Sequence, residues 1–560
     1  YDAYKVYVKA INAGDEDLDI TMYNGGLFAH DAFLDALVID DEVLDARAKI
    51  LSAYNFGSDI SVNILGHIFE NSISELEEIS AQLLENDFDK KQSKRKKDGV
   101  FYTPAYITEY IVQNTLGKLC EAKRQELNIA EVEVIINPKK PTKKEQETKE
   151  NLLAYKAWLF DLKILDPACG SGAFLNQALE YLLKEHKRLQ NDLALMGDLF
   201  ASYEVEKEVL EHNLYGVDIN EGAVEIARLS LWLRTAKRGR PLTKLANKIK
   251  VGNSLIDDKT VVTNAFDWHA EFPEVFAQGG FDVVIGNPPY VRQEMIDSDI
   301  KEKYMLMYPH VATSTADLYV YFYEHSMKCL SEKGLLGFIT PNKWMERKYG
   351  MKLRSYLKEF NIQKIINYGE LNIFEDASTE PAIVIIKNQK NFSDIAYLMV
   401  KSLEEAQAFD YKTSLYKKSD LSDEIWKFTN PLVSSILNKF KNVNTTLHEY
   451  TNGGVYYGIK TGLNEAFIID KTKYSEIVTQ DKASEKLLKK MVEGDDFGKW
   501  YLNHSGRYMV ATGYDLEIEN DYKGIYNYLE QYRDKLIKRQ DKGKNYWNLR
   551  ACDYYDKLEQ

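Results

Sequence analysis

A chain of 560 residues, 44% apolar and 28% charged, has the balance of a globular protein, and at ~150 residues per domain it holds three or four. That balance excludes disorder as the main business, and no apolar run approaches the ~18 residues of a membrane span. The 72 basic and 86 acidic residues leave a net charge of −14, which argues against nucleic acid as a partner unless positive charge is concentrated locally.

Charge is concentrated in three places: Lys90–Lys97 (KKQSKRKK) has six basic residues, Ile226–Lys250 has eight and no acidic one, and residues 533–550 are again basic. Solvated helix faces or a linker would account for each run equally well. Four scattered cysteines (Cys120, Cys169, Cys329, Cys552) form no CxxC pair, so neither a metal site nor a disulfide framework is expected, and a reducing cytoplasmic setting fits. The chain opens at Tyr1 without a basic-then-apolar signal segment.

In chain order, residues 1–98 read as a helical connector, with helical spacing of Ile60, Ile64, Leu65, Ile68, Phe69 and Ile73. A helix starts after Phe101: Thr103 can cap it, Pro104 suits the first turn, and Ile107, Tyr110 and Ile111 share a face. Residues 137–150 read as a surface loop. From Leu162 short strands alternate with helices. The strands are Lys163–Leu165, Leu214–Val217, Ile249–Gly252, Phe281–Ile285, Gly334–Ile339, Lys364–Tyr368 and Ala382–Ile386. The helices are Ala173–Glu185, Glu221–Arg234 and Ala316–Leu330, with inserted helix over 186–212. This alternation over residues 99–388 predicts an α/β fold, a largely parallel sheet with helices on both faces. Residues 389–440 read as a linker with helices, and residues 441–560 as a separate α+β module.

Three strings carry chemistry. In Ile164–Phe174 (ILDPACGSGAF) an apolar strand ends in Asp166, and the turn containing Ala168, Gly170 and Gly172 opens a helix at Ala173-Phe174. Dinucleotide sites use a related turn, but the third glycine is absent and Asp166 would repel a pyrophosphate while attracting a sulfonium amino acid. An ordinary strand-to-helix turn is the plain alternative. In Leu214–Asn220 (LYGVDIN) Asp218 ends the second strand, where a ribose diol is held in such folds; otherwise Asp218 or Asn220 only caps the next helix. In Phe281–Tyr290 (FDVVIGNPPY) Pro288 and Pro289 fix the backbone after a strand and leave carbonyls as acceptors. Asn287 adds a side-chain acceptor and Tyr290 a flat ring, a set suited to the NH₂ group of a planar substrate. A rigid turn with a buried Tyr is the alternative.

These strings resemble those of amino-methylating DNA methyltransferases that use S-adenosylmethionine, in the adenine-N6 branch. The resemblance implies a Rossmann-like S-adenosylmethionine-dependent sheet. It implies cofactor contacts at Tyr102, Thr103 and Pro104, at Asp166, Ala168, Gly170, Gly172 and Phe174, at Asp218, and at Asn253 and Ser254. Asn253 stands where many members carry Asp. The resemblance further implies catalysis by Asn287, Pro288, Pro289 and Tyr290, with Tyr290 and Phe374 packing on an extruded base and no metal required.

Tyr23–Phe28 (YNGGLF), Gly458–Phe467 (GIKTGLNEAF) and Trp547–Cys552 (WNLRAC) are similar to signatures of combined restriction–modification enzymes of the Eco57I-like, type IIG kind. The last two place an incomplete target-recognition domain at 441–560. Such enzymes carry a metal-dependent nuclease domain ahead of the methylase; no Glu-x-Lys triplet precedes Gly99, so the nuclease is expected to be absent from this chain. The expected activity is methylation of adenine N6 in double-stranded DNA. Three rivals are methylation of a release-factor glutamine, methylation of cytosine N4, and an inert DNA-binding specificity module.

Overall fold

The computed structural model describes the chain apart from residues 16, 19, 21–27, 29, 54–65, 67, 69–71, 73–101, 130–131, 133, 136–139, 199–204, 236–246, 375–378, 391–392, 408–410, 424, 429–432, 434–435, 437–438, 441–444, 455–457, 541, 553–554 and 556–560. The YNGGLF signature (save Phe28), the basic run Lys90–Lys97 and almost all of the helical pattern from Ile60 to Ile79 lie outside the described residues. The chain divides into two compact units, residues 1–429 and 430–560.

The larger unit is built on nine strands. They are β1 (Ile164–Asp166), β2 (Leu214–Asp218), β3 (Ile249–Val251), β4 (Phe281–Gly286), β5 (Leu330–Pro341), β6 (Asn361–Asn367), β7 (Pro381–Lys387), β8 (Ile395–Met399) and β9 (Ser414–Tyr416). Their order is β3-β2-β1-β4-β5-β7-β6-β8-β9. β3 through β5 are parallel, and β7 inserts antiparallel between β5 and β6. The chain fills one side of β1 and then crosses to the other, so the topological switch point lies between β1 and β4. In open α/β sheets, ligands bind outside the carboxyl ends of the strands at that point.

Alternate strand residues feed two different cores, as a period of two requires. Ile164, Val283, Ile285 and Ile339 pack on one face with helix Ala173–Leu195, while Leu165, Val284, Leu336 and Phe338 pack on the other with helix Leu318–Cys329. A sheet buried on both faces reads as continuous apolar runs, which is why the central strands were visible in the sequence.

Three local readings need correction. Helix Lys143–Asp161 begins inside the expected surface loop, on a capping box between Thr142 and Glu145, and buries Leu152, Tyr155 and Leu159. Its exposed first turns carry the polar composition that reads as loop. Thr103 does not cap the helix Ala105–Val112: Pro104 stands at the cap with no side-chain bond, and its carbonyl accepts from Ile107 N–H at 3.0 Å. The stretch read as a linker with helices contributes β8 and β9, and its Trp426 is buried against Trp344 with ring centroids 5.2 Å apart.

The smaller unit is α+β. Its three-stranded antiparallel sheet has Tyr508–Val510 between Ile468–Ile469 and Leu488–Lys490. Phe467, Val510, Ile525, Leu529 and Leu549 form its core with helix Lys523–Glu530. Both signature segments are brackets for this core. Buried Arg539 donates to the carbonyls of Thr461, Tyr546 and Asn548 at 2.7–2.8 Å, and Asn548 donates to those of Thr512 and Leu516.

Candidate active site

The carboxyl ends of β1, β2 and β4 surround one cavity of about 210 Å³, lined among others by Thr103, Asp166, Ala168, Gly170, Phe174, Asp218, Asn253, Ser254, Asn287 and Pro289. Residues as far apart in sequence as Thr103 and Pro289 thus meet at the switch point. Tyr102, Pro104, Gly172, Pro288, Tyr290 and Phe374 do not line this cavity.

Backbone geometry makes the floor. Gly170 and Gly172 have φ of +50° and +88°, the left-handed region that glycine enters without a Cβ penalty. Gly172 is needed on a second count: a Cβ there would sit 3.0 Å from the Cβ of Ala227, on the helix after β2. The turn is held by Asp218, whose Oδ2 accepts from Gly170 N–H at 2.9 Å and whose Oδ1 accepts from Asn220 N–H at 2.8 Å. The helix-start contact falls to Asn220, whose Oδ1 accepts from Ala223 N–H at 3.2 Å.

Asp166 is 1% exposed. Its Oδ1 accepts from Ala168 N–H at 3.1 Å, and a Cβ on Gly286 would stand only 2.8 Å from that oxygen, so the close approach of β4 needs glycine. Burial pushes the Asp166 carboxyl well above the ordinary carboxylate range; the Ala168 N–H opposes this and the Asp218 charge adds to it. No lysine, arginine or histidine is among the described residues lining the cavity. Two carboxylates without a local cation fit a cationic amino acid joined to a ribose and disfavour a pyrophosphate.

The third wall is the loop after β3. Ser254 donates its hydroxyl to the Pro167 carbonyl, and Trp268 Nε1–H donates to the Ser254 carbonyl at 3.0 Å. Asn253 Oδ1 accepts from Leu255 N–H at 3.0 Å. These bonds tie the loop to the β1 turn. Sequence reading assigned no site role to Ile219, Tyr304, Leu318 and Phe322, which also line the cavity. The only local signal was the helical i, i+4 spacing of Leu318 and Phe322.

At the open end, Asn287 Nδ2 donates to Thr103 Oγ1 at 3.1 Å, linking the strand β4 motif to the segment before helix Ala105–Val112. Tyr290 donates to the Ile339 carbonyl at 3.4 Å, and its ring stands edge-on to Phe374, centroids 5.9 Å apart at 80°. Phe374 thus lies beside Tyr290.

The family model of the Eco57I restriction-modification methylase matches residues 212–374. This segment is similar to that family. It contains β2 through β6, with Asp218, Asn287 and Tyr290 among its residues. Over 507 residues the chain is 26% identical to the type II restriction enzyme and methyltransferase RM.Eco57I of Escherichia coli, covering 84% of this chain and 46% of that protein. It is 25% identical over 415 residues to the type II methyltransferase M.BstVI of Geobacillus stearothermophilus, covering 69% and 68% respectively. The chain thus spans about half the length of the Escherichia coli relative. The solved type IIL restriction-modification enzyme MmeI, in complex with DNA, is similar in fold to this chain, with a TM-score of 0.55 and 14% identity over 86% of this chain and 58% of that one.

The basic run after β2 looks different in three dimensions. Arg228 pairs with Glu225, Arg234 with Glu180 at 3.4 Å, Lys248 with Glu274 at 2.9 Å and Lys250 with Glu271 at 2.6 Å. Lys237, Arg238, Arg240 and Lys244 fall outside the described residues. Half of this run is therefore committed to carboxylates inside the protein.

Proposed function

We propose that the methylase transfers a methyl group from S-adenosylmethionine to N6 of adenine in double-stranded DNA, with residues 441–560 acting as its target-recognition domain. The observation that carries this reading is one cavity bounded by Asp166, Asp218 and Asn287 at neighbouring strand ends, with two carboxylates and no cation among the described lining. Asp166 would receive the ammonium of the methionine part. Asp218, held in place by the Gly170 and Asn220 N–H groups, would accept from the ribose diol. Gly170 keeps a side chain out of the way, Ser254 and Asn253 would shape the adenine end, and Thr103 and Phe174 would close the methionine end. When bound, S-adenosylmethionine supplies an electrophilic methyl on a sulfonium.

A base inside a duplex cannot reach this cavity, so the adenine must leave the stack. Asn287 Oδ1 and the Pro288 carbonyl would accept from its amino group, localising the nitrogen lone pair and aiming it at the methyl carbon. The Thr103 contact holds the plane of the Asn287 amide for this. Nitrogen forms its bond to carbon, the carbon–sulfur bond breaks, and the amino proton is lost to solvent. Tyr290 and Phe374 would sandwich the base, which needs parallel rings about 7 Å apart. In this structure they stand edge to face, so admitting a base requires Phe374 to turn aside. Labelled methyl transfer into duplex DNA tests the reading: the protein should incorporate label, Asn287→Ala should not, and label-free DNA with the unaltered protein would reject it.

A further inference from the structure

The smaller unit carries a hairpin that its core does not use. Phe497–Gly498 pairs with Tyr501–Leu502, antiparallel, around a two-residue turn of Lys499 and Trp500. Trp500 is 92% exposed and takes a φ of +74°, a conformation that bulky residues avoid. Phe497, Tyr501 and Leu502 are exposed as well. Four of six consecutive residues are thus large, apolar and in solvent, the composition of a contact surface.

The base of the hairpin is anchored while the tip stands free of the core. Asn503 N–H donates to the Asp496 carbonyl at 2.8 Å, Glu493 N–H to the Asp496 carboxylate at 2.8 Å, and Ser505 to the same carboxylate at 3.3 Å. Arg507 pairs with Glu493 at 2.7 Å and lies 3.8 Å from Asp496, so each of these two carboxylates has a cation beside it. The Tyr501 ring lies across Gly498, where any Cβ would collide with it. The tip itself has one charge, Lys499, and it is positive.

Resting on the DNA-methyltransferase reading, we infer that this hairpin is a DNA-contacting wedge, with Trp500 stacking on a base or base step and Lys499 on an adjacent phosphate. An indole beside a lone cation on a narrow, anchored turn suits a stacked, anionic partner. Its strands, two residues each, are too short to add to another protein's sheet edge, and no carboxylate at the tip opposes phosphate.

The protein has seven tryptophans; Trp268, Trp344, Trp426 and Trp547 are buried and Trp158 and Trp232 half-buried, so Trp500 should dominate acrylamide-quenchable emission. Duplex DNA should shield that emission, and Trp500→Ala should weaken duplex binding by about tenfold or more, with Trp500→Phe recovering part of the loss. Lys499→Ala should lower the slope of log affinity against log salt by about one. Circular dichroism on each variant checks that the unit remains folded. Duplex binding by the unaltered protein with no shielding, and with Trp500→Ala unaffected, would overturn the wedge and leave the methyltransferase reading standing. No duplex binding at all would overturn both. Shielding on raising protein concentration without DNA would overturn the wedge in favour of contact between copies.

Discussion

Replacing Asp166 by Asn separates the cofactor role of this carboxylate from its structural one. The substitution keeps Oδ1, so the Ala168 N–H retains its acceptor, and it adds no volume beside Gly286. What disappears is a charge buried to 1% exposure with no cation among the described residues around it. Unliganded protein should therefore melt at the same temperature or higher. The ligand ammonium would lose a buried charged partner, a loss of about 2–5 kcal/mol, or ~30- to 5,000-fold in affinity. At a hundred times its dissociation constant, S-adenosylmethionine stabilises the native state by about 2.7 kcal/mol. For a unit of this size that is a rise of ~3–5 °C in Tm. Differential scanning fluorimetry with S-adenosylmethionine and S-adenosylhomocysteine reads both quantities. The unaltered protein should shift by that amount, and Asp166→Asn by about a third of it or less at the same ligand concentration. An Asp166→Asn variant that shifts as the unaltered protein does would refute the ammonium contact.

Asn287→Ala removes an acceptor for the amino group but none of the β1 turn, so calorimetry should find cofactor affinity unchanged while kcat falls by about 100-fold or more. Gly172→Ala forces a side chain into φ of +88° and against Ala227, so it should cost ~2–4 kcal/mol and lower the unfolding midpoint in urea. The raised Asp166 carboxyl sets a pH dependence of definite sign. Because its folded value lies above the unfolded 3.8, its contribution to unliganded stability is fully present below 3.8 and is lost as pH rises through the folded value. Cofactor affinity should rise over the same window, as the carboxylate ionises. Both trends, followed by Tm against pH, should vanish in Asp166→Asn.

The central strands could be read from sequence because each is a short apolar run closed by Gly, Pro or Asp, and a doubly covered sheet demands such runs. The three strings at their ends meet at one cavity for the same reason: parallel strands bring their carboxyl ends to one edge. What could not be read depended on partners far along the chain. The hydroxyl of Thr103 looks like a helix cap locally, yet it meets Asn287, and only the fold reveals that. The basic run after β2 loses half its apparent charge to carboxylates, of which Glu180, Glu271 and Glu274 come from other elements. β9 is the edge strand and β8 its neighbour, where polar residues are tolerated on the exposed side, so their signal is weak. Tyr304, Leu318 and Phe322 reach the cavity from helices whose patterns reveal only that they face a core.

The central claim is that this cavity methylates the exocyclic nitrogen of adenine in DNA. Its most direct test is to incubate the protein with labelled S-adenosylmethionine and plasmid duplex, digest to nucleosides, and identify the labelled species by mass spectrometry. The account predicts N6-methyldeoxyadenosine as the labelled nucleoside. Label in N4-methyldeoxycytidine, or in a protein glutamine in place of DNA, would contradict it.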